Sequence, residues 1–272
     1  MTEPIPDEHD RGLSHDLPAL LSRRALMLFG GAGLAAALAG CGIGGGNDGD
    51  TGSPSATSTA GTAPAGAEIP EETAGPFPGD GSNGVNVLTE SGIVRSDITR
   101  SFGSASGVAQ GKPLTIRLRV LDTANGSGPL RGAAVYLWHC DADGRYSLYS
   151  DGAAEENYLG GVQATDGDGS VTFTSVYPGA YAGRWPHVHF EVYPSLEAAT
   201  TASGKLRTSQ LALPEAPCKL VYTTGGYGDS MANLARTSLS SDNVFSDGYS
   251  LQLATVTGSV TDGFTASLNV PV

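Results

Sequence analysis

The chain has 272 residues, 39 of them glycine, and its 15 Lys+Arg against 28 Asp+Glu give a formal charge of −13. That balance, with no basic cluster, excludes nucleic acid and anionic lipid surfaces as the main partner. An apolar content of 39 % supplies material for one real core and excludes global disorder. Thirteen glycines lie in residues 1–67 and 26 in residues 68–272. The first set reads as linker, the second as turns between many short strands.

The N-terminus reads as an address. Ser22-Arg23-Arg24 precedes sixteen uncharged residues, Ala25 to Gly40, short of the roughly 18–20 that a spanning helix needs. Twin arginines before a short apolar run resemble a Tat export signal. The run ends Leu38-Ala39-Gly40-Cys41, which resembles a lipobox whose Cys41 carries lipid. Residues 1–41 are thus expected to be a lipoprotein signal. The Gly/Ser/Thr/Pro tract 42–67 is expected to be a flexible tether. Such a protein would sit on the outer face of the bacterial cell membrane, held only through Cys41, or be secreted. Outside the cytosol, the remaining Cys140 and Cys218 are expected to form a disulfide rather than stay as two thiols.

Residues 68–272 read as one all-β domain. In Leu114–Leu121, apolar residues at 114, 116, 118 and 120 alternate with polar ones, the signature of a half-buried strand. Ala133–Trp138, Val171–Thr174 and His187–Tyr193 read as further strands. Leu220–Thr223, Ser250–Thr257 and Phe264–Val270 follow, with Asp262-Gly263 as a hairpin turn between the last two. Only Ser230–Ser238 has a helical stretch. This spacing predicts a β-sandwich with mainly antiparallel strands, long loops and little helix.

The candidate chemistry lies in four side chains. His187 and His189, two apart on a predicted strand, project to the same face and form a chelating pair. The chain has five histidines, two of them in the leader. Tyr146 follows the turn Asp141-Ala-Asp-Gly144, and Tyr181 closes the turn Pro178-Gly-Ala-Tyr181. Two phenolates with two imidazoles make a hard, anionic donor set that favours a trivalent, Lewis-acidic metal. Zinc sites are more often built from Cys and His.

These residues carry a family resemblance. Glu71–Phe77, Trp138-x₆-Arg145-Tyr146, Gly161–Asp166, Pro178-Gly-Ala-Tyr181, Arg184-Trp-Pro-His187-Val-His189-Phe and Asp242-Asn-Val-Phe245 resemble the intradiol ring-cleavage dioxygenases, the catechol and protocatechuate dioxygenases, and among them an exported subgroup. The resemblance spans roughly residues 70–249. It implies a mononuclear non-haem Fe(III) held by Tyr146, Tyr181, His187 and His189, with a small aromatic diol and O₂ as substrates and a cis,cis-muconate-type product. Tyr181 would be the axial ligand that leaves when substrate binds and takes one of its protons. Arg184 would stabilise developing negative charge, and Gln210 would hydrogen-bond nearby. Glu72–Phe77 is expected either to line the substrate mouth or to pack on the sandwich as an arm. Oligomers are common in the family, although nothing here corresponds to the helical dimerisation region of its cytosolic members.

Two rival readings follow from the same residues. Segment 129–181 also resembles a transthyretin- or CnaB-like sandwich module that binds without catalysis. Such modules do not need Arg184-x-x-His187-x-His189 after the Pro-Gly-Ala-Tyr181 turn. A surface zinc or copper protein would use the His pair without Tyr146.

Overall fold

A computed structural model describes residues 66–272. The leader, Cys41 and all but the last two residues of the 42–67 tether lie outside the described residues. The elements in order are β1 (Pro113–Asp122), β2 (Gly128–Pro129), β3 (Ala134–Trp138), β4 (Gly160–Ala164), β5 (Ser170–Val176), β6 (His187–Tyr193), β7 (Arg207–Ala212), α1 (Glu215–Tyr222), α2 (Ser230–Leu234), a 3-10 turn at Phe245–Asp247, β8 (Thr255–Ser259) and β9 (Gly263–Pro271). They form a two-sheet sandwich, the all-β class expected from the strand spacing.

In the first sheet β1 is central. It pairs with β5 and β2 antiparallel along one edge and with β9 parallel along the other, and β8 pairs antiparallel with β9. The second sheet runs β4-β3-β6-β7, antiparallel throughout. Alternation in β1 turns Leu114, Ile116, Leu118 and Val120 inward, where they meet Val135 and Leu137 of β3 and Val188, Phe190 and Val192 of β6. Each such side chain contributes about 1.5–3 kcal/mol by leaving water.

The second sheet is buried on both faces. All seven residues of β6 are buried. Val188, Phe190 and Val192 face the inter-sheet core. The alternate positions His187, His189, Glu191 and Tyr193 face the other way, as the period of two requires. That outer face is covered by chain preceding β1. Val87, Leu88 and Ile93 pack with Ala134, Tyr136, Trp138, Val162 and Tyr193. Val162 N donates to Ile93 O at 2.8 Å, Arg95 N to Val162 O at 3.0 Å, and Tyr136 OH to Pro78 O at 2.8 Å.

Four expectations are corrected. Leu220–Thr223 is not a strand, since Glu215–Tyr222 is helical. Buried Pro217, Cys218, Val221 and Tyr222 share one helical face. Pro217 lies in the first turn, where its missing N–H is no loss, and Glu215 pairs with Lys219 one turn on at 2.7 Å. Ser250–Gln252 is a turn and Leu253 makes only an isolated bridge to Ala212, so β8 starts only at Thr255. Cys140 and Cys218 are free thiols rather than a disulfide. Cys140 belongs to the cluster on the outer face of the second sheet and Cys218 to the inter-sheet core. Their sulfurs have separate partners, Gly179 O at 3.5 Å and the Tyr177 hydroxyl at 3.3 Å. The helix predicted at Ser230–Ser238 is shorter, ending at Leu234.

Candidate metal centre

Two turns and one strand bring the expected donors together. In the first turn, Asp141 accepts at Oδ1 from the backbone N–H of Asp143 and of Arg145, both at 2.9 Å. The Arg145 guanidinium donates to Oδ2 at 3.0 Å. This fixes the chain leading into Tyr146. Gly144 adopts φ +81°, and a Cβ there would stand 3.0 Å from Cβ of Tyr181. The glycine therefore permits both the turn and the approach of the second tyrosine. The Tyr181 turn is held by α2, because Ala180 N donates to Ser230 Oγ and Asn233 Nδ2 to Ala180 O, each at 2.9 Å. His187 and His189 come from β6.

The four side chains converge. His187 Nε2 lies 3.1 Å from His189 Nε2, 3.3 Å from Tyr181 Oη and 3.4 Å from Tyr146 Oη, and the two phenol oxygens are 3.4 Å apart. Nitrogen and oxygen ligands about 2.0–2.2 Å from a shared first-row ion, at angles between square and tetrahedral, are spaced by about 3.0–3.5 Å. The donor spacing matches. His187 Nδ1 donates to Trp185 O at 2.5 Å, which leaves Nε2 with its lone pair toward the other donors. His189 stacks on Trp138 with centroids 4.9 Å apart and planes 7° from parallel, and its buried Nδ1 has no protein partner. Among the described residues no group of three or more His, Cys, Asp or Glu side chains is placed to hold a metal. The two-Tyr, two-His set is the place where hard donors meet.

Burial sets the protonation of this set. It pushes the Tyr146 phenol well above its ordinary value, with Tyr181 reinforcing the effect, and it pushes the Tyr181 phenol up to about 12. It lowers both imidazoles well below 6.5, helped by the nearby Arg184 cation. Histidines held neutral are ligands. Phenols held protonated become tyrosinates only with a compensating cation beside them. The residues present thus fit a multivalent cation.

Arg184 and Gln210 stand beside the donors. Arg184 Nη1 is 3.5 Å from His187 Nε2, and Nη2 donates to Gln210 Oε1 at 2.6 Å. Gln210 is fully buried on β7, opposite His189. All six side chains expected at the site, Gln210 among them and Tyr181 serving in both roles, therefore sit together. Glu72–Phe77 takes part as a covering arm. Phe77 packs on Tyr146 at 4.9 Å between centroids, and Gly75 lies against His189. His139 is apart, bonded to Cys140 O and Ser175 Oγ at 2.7 Å each. Trp185 is a core residue whose Nε1 donates to Leu213 O at 2.8 Å.

Sequence reasoning assigned no role to Asp242. It is fully buried and accepts from Arg184 Nε at 3.0 Å. The motif Asp242-Asn-Val-Phe245 was visible, but its distance of 58 residues from Arg184 hid the pairing.

Residues 90–192 match a family model described as Dioxygenase. That segment holds Tyr146, Tyr181, Arg184, His187 and His189. The protocatechuate 3,4-dioxygenase beta chain of Burkholderia cepacia is 33 % identical over 117 residues, 38 % of this chain and 47 % of that one. The chlorocatechol 1,2-dioxygenase of Rhodococcus opacus is 30 % identical over 93 residues, 29 % of this chain and 35 % of that one. The chain thus spans less than half the length of these curated relatives. Among solved structures, an intradiol ring-cleavage dioxygenase from Tetranychus urticae shares the fold at a TM-score of 0.56 and 24 % identity, covering 75 % of this chain and 94 % of that one. The segment that carries the converging donors, residues 90–192, is thus similar to the dioxygenase family, and the relatives it resembles cleave catechol-type rings by name.

Proposed function

We propose that the domain holds a mononuclear non-haem ferric ion through Tyr146, Tyr181, His187 and His189 and cleaves a catechol-type ring with O₂ between the two hydroxyl-bearing carbons. Both oxygen atoms enter the product, a cis,cis-muconate-type dicarboxylic acid, so no further reductant is required. The observation that carries this reading is the convergence of four donor atoms at 3.1–3.4 Å with Arg184 beside them. When bound, the ion would supply Lewis acidity toward the diol oxygens and draw electron density from the ring.

The chain's own residues divide the remaining work. Tyr181 is partly exposed while the other three donors are buried. Its oxygen, ionised beside the bound ion, would be the one able to swing out and accept a proton from an incoming diol. Arg184 Nη1 directs its N–H groups toward the donor set and stabilises negative charge that develops on the substrate. Gln210 holds that guanidinium from β7. The covering arm, with Phe77 over Tyr146, limits water at the centre. Export and lipid attachment at Cys41 are proposed from the leader residues alone, on which the described structure does not bear.

The test is made on the purified chain loaded with ferric iron. A red-brown tyrosinate-to-iron band, its shift on adding catechol, oxygen uptake and a ring-opened dicarboxylic acid are the expected results. Tyr146→Phe and Tyr181→Phe should each alter the band. A folded, colourless protein that retains no iron overturns the reading and leaves a non-catalytic sandwich module in its place.

A further inference from the structure

We infer that Asp242 is the positioning residue for Arg184: its buried carboxylate, fixed by three backbone amides, aims the guanidinium at the donor set and acts on the reaction through it. The inference rests on the ring-cleavage reading above. It concerns a residue outside the segment 90–192 that the family model matches.

The hydrogen-bond inventory of Arg184 carries the argument. A guanidinium has five N–H groups in a rigid fork. Here Nε donates to Asp242 Oδ2 at 3.0 Å, and Nη2 donates to Gln210 Oε1 at 2.6 Å and to Asp242 Oδ1 at 3.4 Å. Nη1 remains, directed at the donor set 3.5 Å from His187 Nε2. The edge bound to Asp242 thus decides which edge faces the substrate.

The carboxylate is itself immobile. Oδ2 accepts from Trp185 N at 2.7 Å, and Oδ1 accepts from Val244 N at 2.9 Å and Phe245 N at 3.2 Å. The same anion therefore holds the side chain of Arg184 and the main chain of the next residue. The carbonyl of that next residue, Trp185, receives His187 Nδ1. The charge of Asp242 matters as well. Arg184 stands beside a site built for a multivalent cation, where an unpaired guanidinium would be repelled. Asp242 offsets that charge while leaving Nη1 free to bind an anion.

The test combines kinetics with a measurement that needs no turnover. In the iron-loaded full chain, Asp242→Asn should lower kcat about 10–100-fold and change KM less than about threefold, since an aimed donor counts most in the transition state. In an Arg184→Gln background the same substitution should add less than about twofold, because the residue through which it acts is gone. An undiminished loss in that background overturns the inference. In the metal-free full chain, the Arg184 Nε–H resonance, identified by its absence in Arg184→Gln, should be protected from solvent exchange in wild type and averaged away in Asp242→Asn. An Arg184 Nε–H in wild type that exchanges as fast as an exposed arginine overturns the inference even where Asp242→Asn does not fold. A wild-type chain that cleaves no diol removes the functional reading. The protected Nε–H then still supports the hold of Asp242 on Arg184.

Discussion

Gln210 is the cross-strand partner of His189, and its side chain joins the arm before β1 to the arginine beside the four converging side chains. Its Nε2 donates to Thr73 O at 2.9 Å and its Oε1 accepts from Arg184 Nη2 at 2.6 Å. Residues opposite each other in an antiparallel pair share a face, so the register that orients His189 also orients Gln210. Gln210→Leu keeps the volume but leaves a guanidinium N–H and the Thr73 carbonyl without this partner. It should destabilise the fold by about 1–3 kcal/mol. Urea denaturation checks this, and an unchanged midpoint would show that water replaces the amide without loss.

The parts of the site that lie on simple local rules were legible. His187 and His189 obey the strand period, and Tyr146 and Tyr181 follow turns marked by glycine. β7 escaped notice because Thr208, Ser209 and Gln210 are polar and yet buried, which erases the apolar signal by which strands are recognised. The reason for their burial is tertiary. Thr208 and Gln210 share the face of Glu191 and His189, which the arm covers, and Ser209 shares the core face of Phe190. α1 was misread because Leu220–Tyr222 is a short apolar run, and such runs fit strand and helix equally. The cysteine pairing failed for a related reason, since composition cannot say on which side of a sheet each thiol lies. The Arg184–Asp242 pair joins residues 58 apart, and no periodicity connects them.

Acid sensitivity should run through Asp80, a fully buried carboxylate in the covering chain. Burial by itself would raise its pKa. Hydrogen bonds from Ser82 N at 2.9 Å and Ser82 Oγ at 2.5 Å, with the Lys205 ammonium 3.5 Å from Oδ2, outweigh burial and hold it below the ordinary 3.8. The unfolded chain therefore takes up this proton first as pH falls. The stabilisation is complete above the unfolded value and is lost as pH drops through the folded one. Across Lys205, burial pushes Glu191 the other way, above 4.5. Its contribution falls in the range above that value, so the Asp80 term is read below it. Asp80→Asn should flatten the loss of stability below about pH 4. Urea midpoints measured against pH decide the matter, and parallel acid limbs for variant and wild type would remove Asp80 from the account.

Gly75 should matter for contact as well as conformation, and a second glycine separates the two effects. Gly75 adopts φ +75°, and a Cβ there would stand 3.3 Å from His189 Cε1. The imidazole's movement is limited by Trp138, on which its ring is stacked. Gly84 adopts φ +98°, but a Cβ there would meet nothing within 4 Å. Both alanine substitutions place a side chain in the left-handed region, at about 1–2 kcal/mol. Only Gly75→Ala also pushes the arm away from His189. Both variants should lose stability, while Gly75→Ala alone should bind iron more weakly and be cut faster by protease within residues 66–80. The measurements are urea midpoints, iron retained after dialysis and cleavage rates. Equal iron retention in the two variants would mean that the arm yields without disturbing the imidazole, and that His189 is held by Trp138 alone.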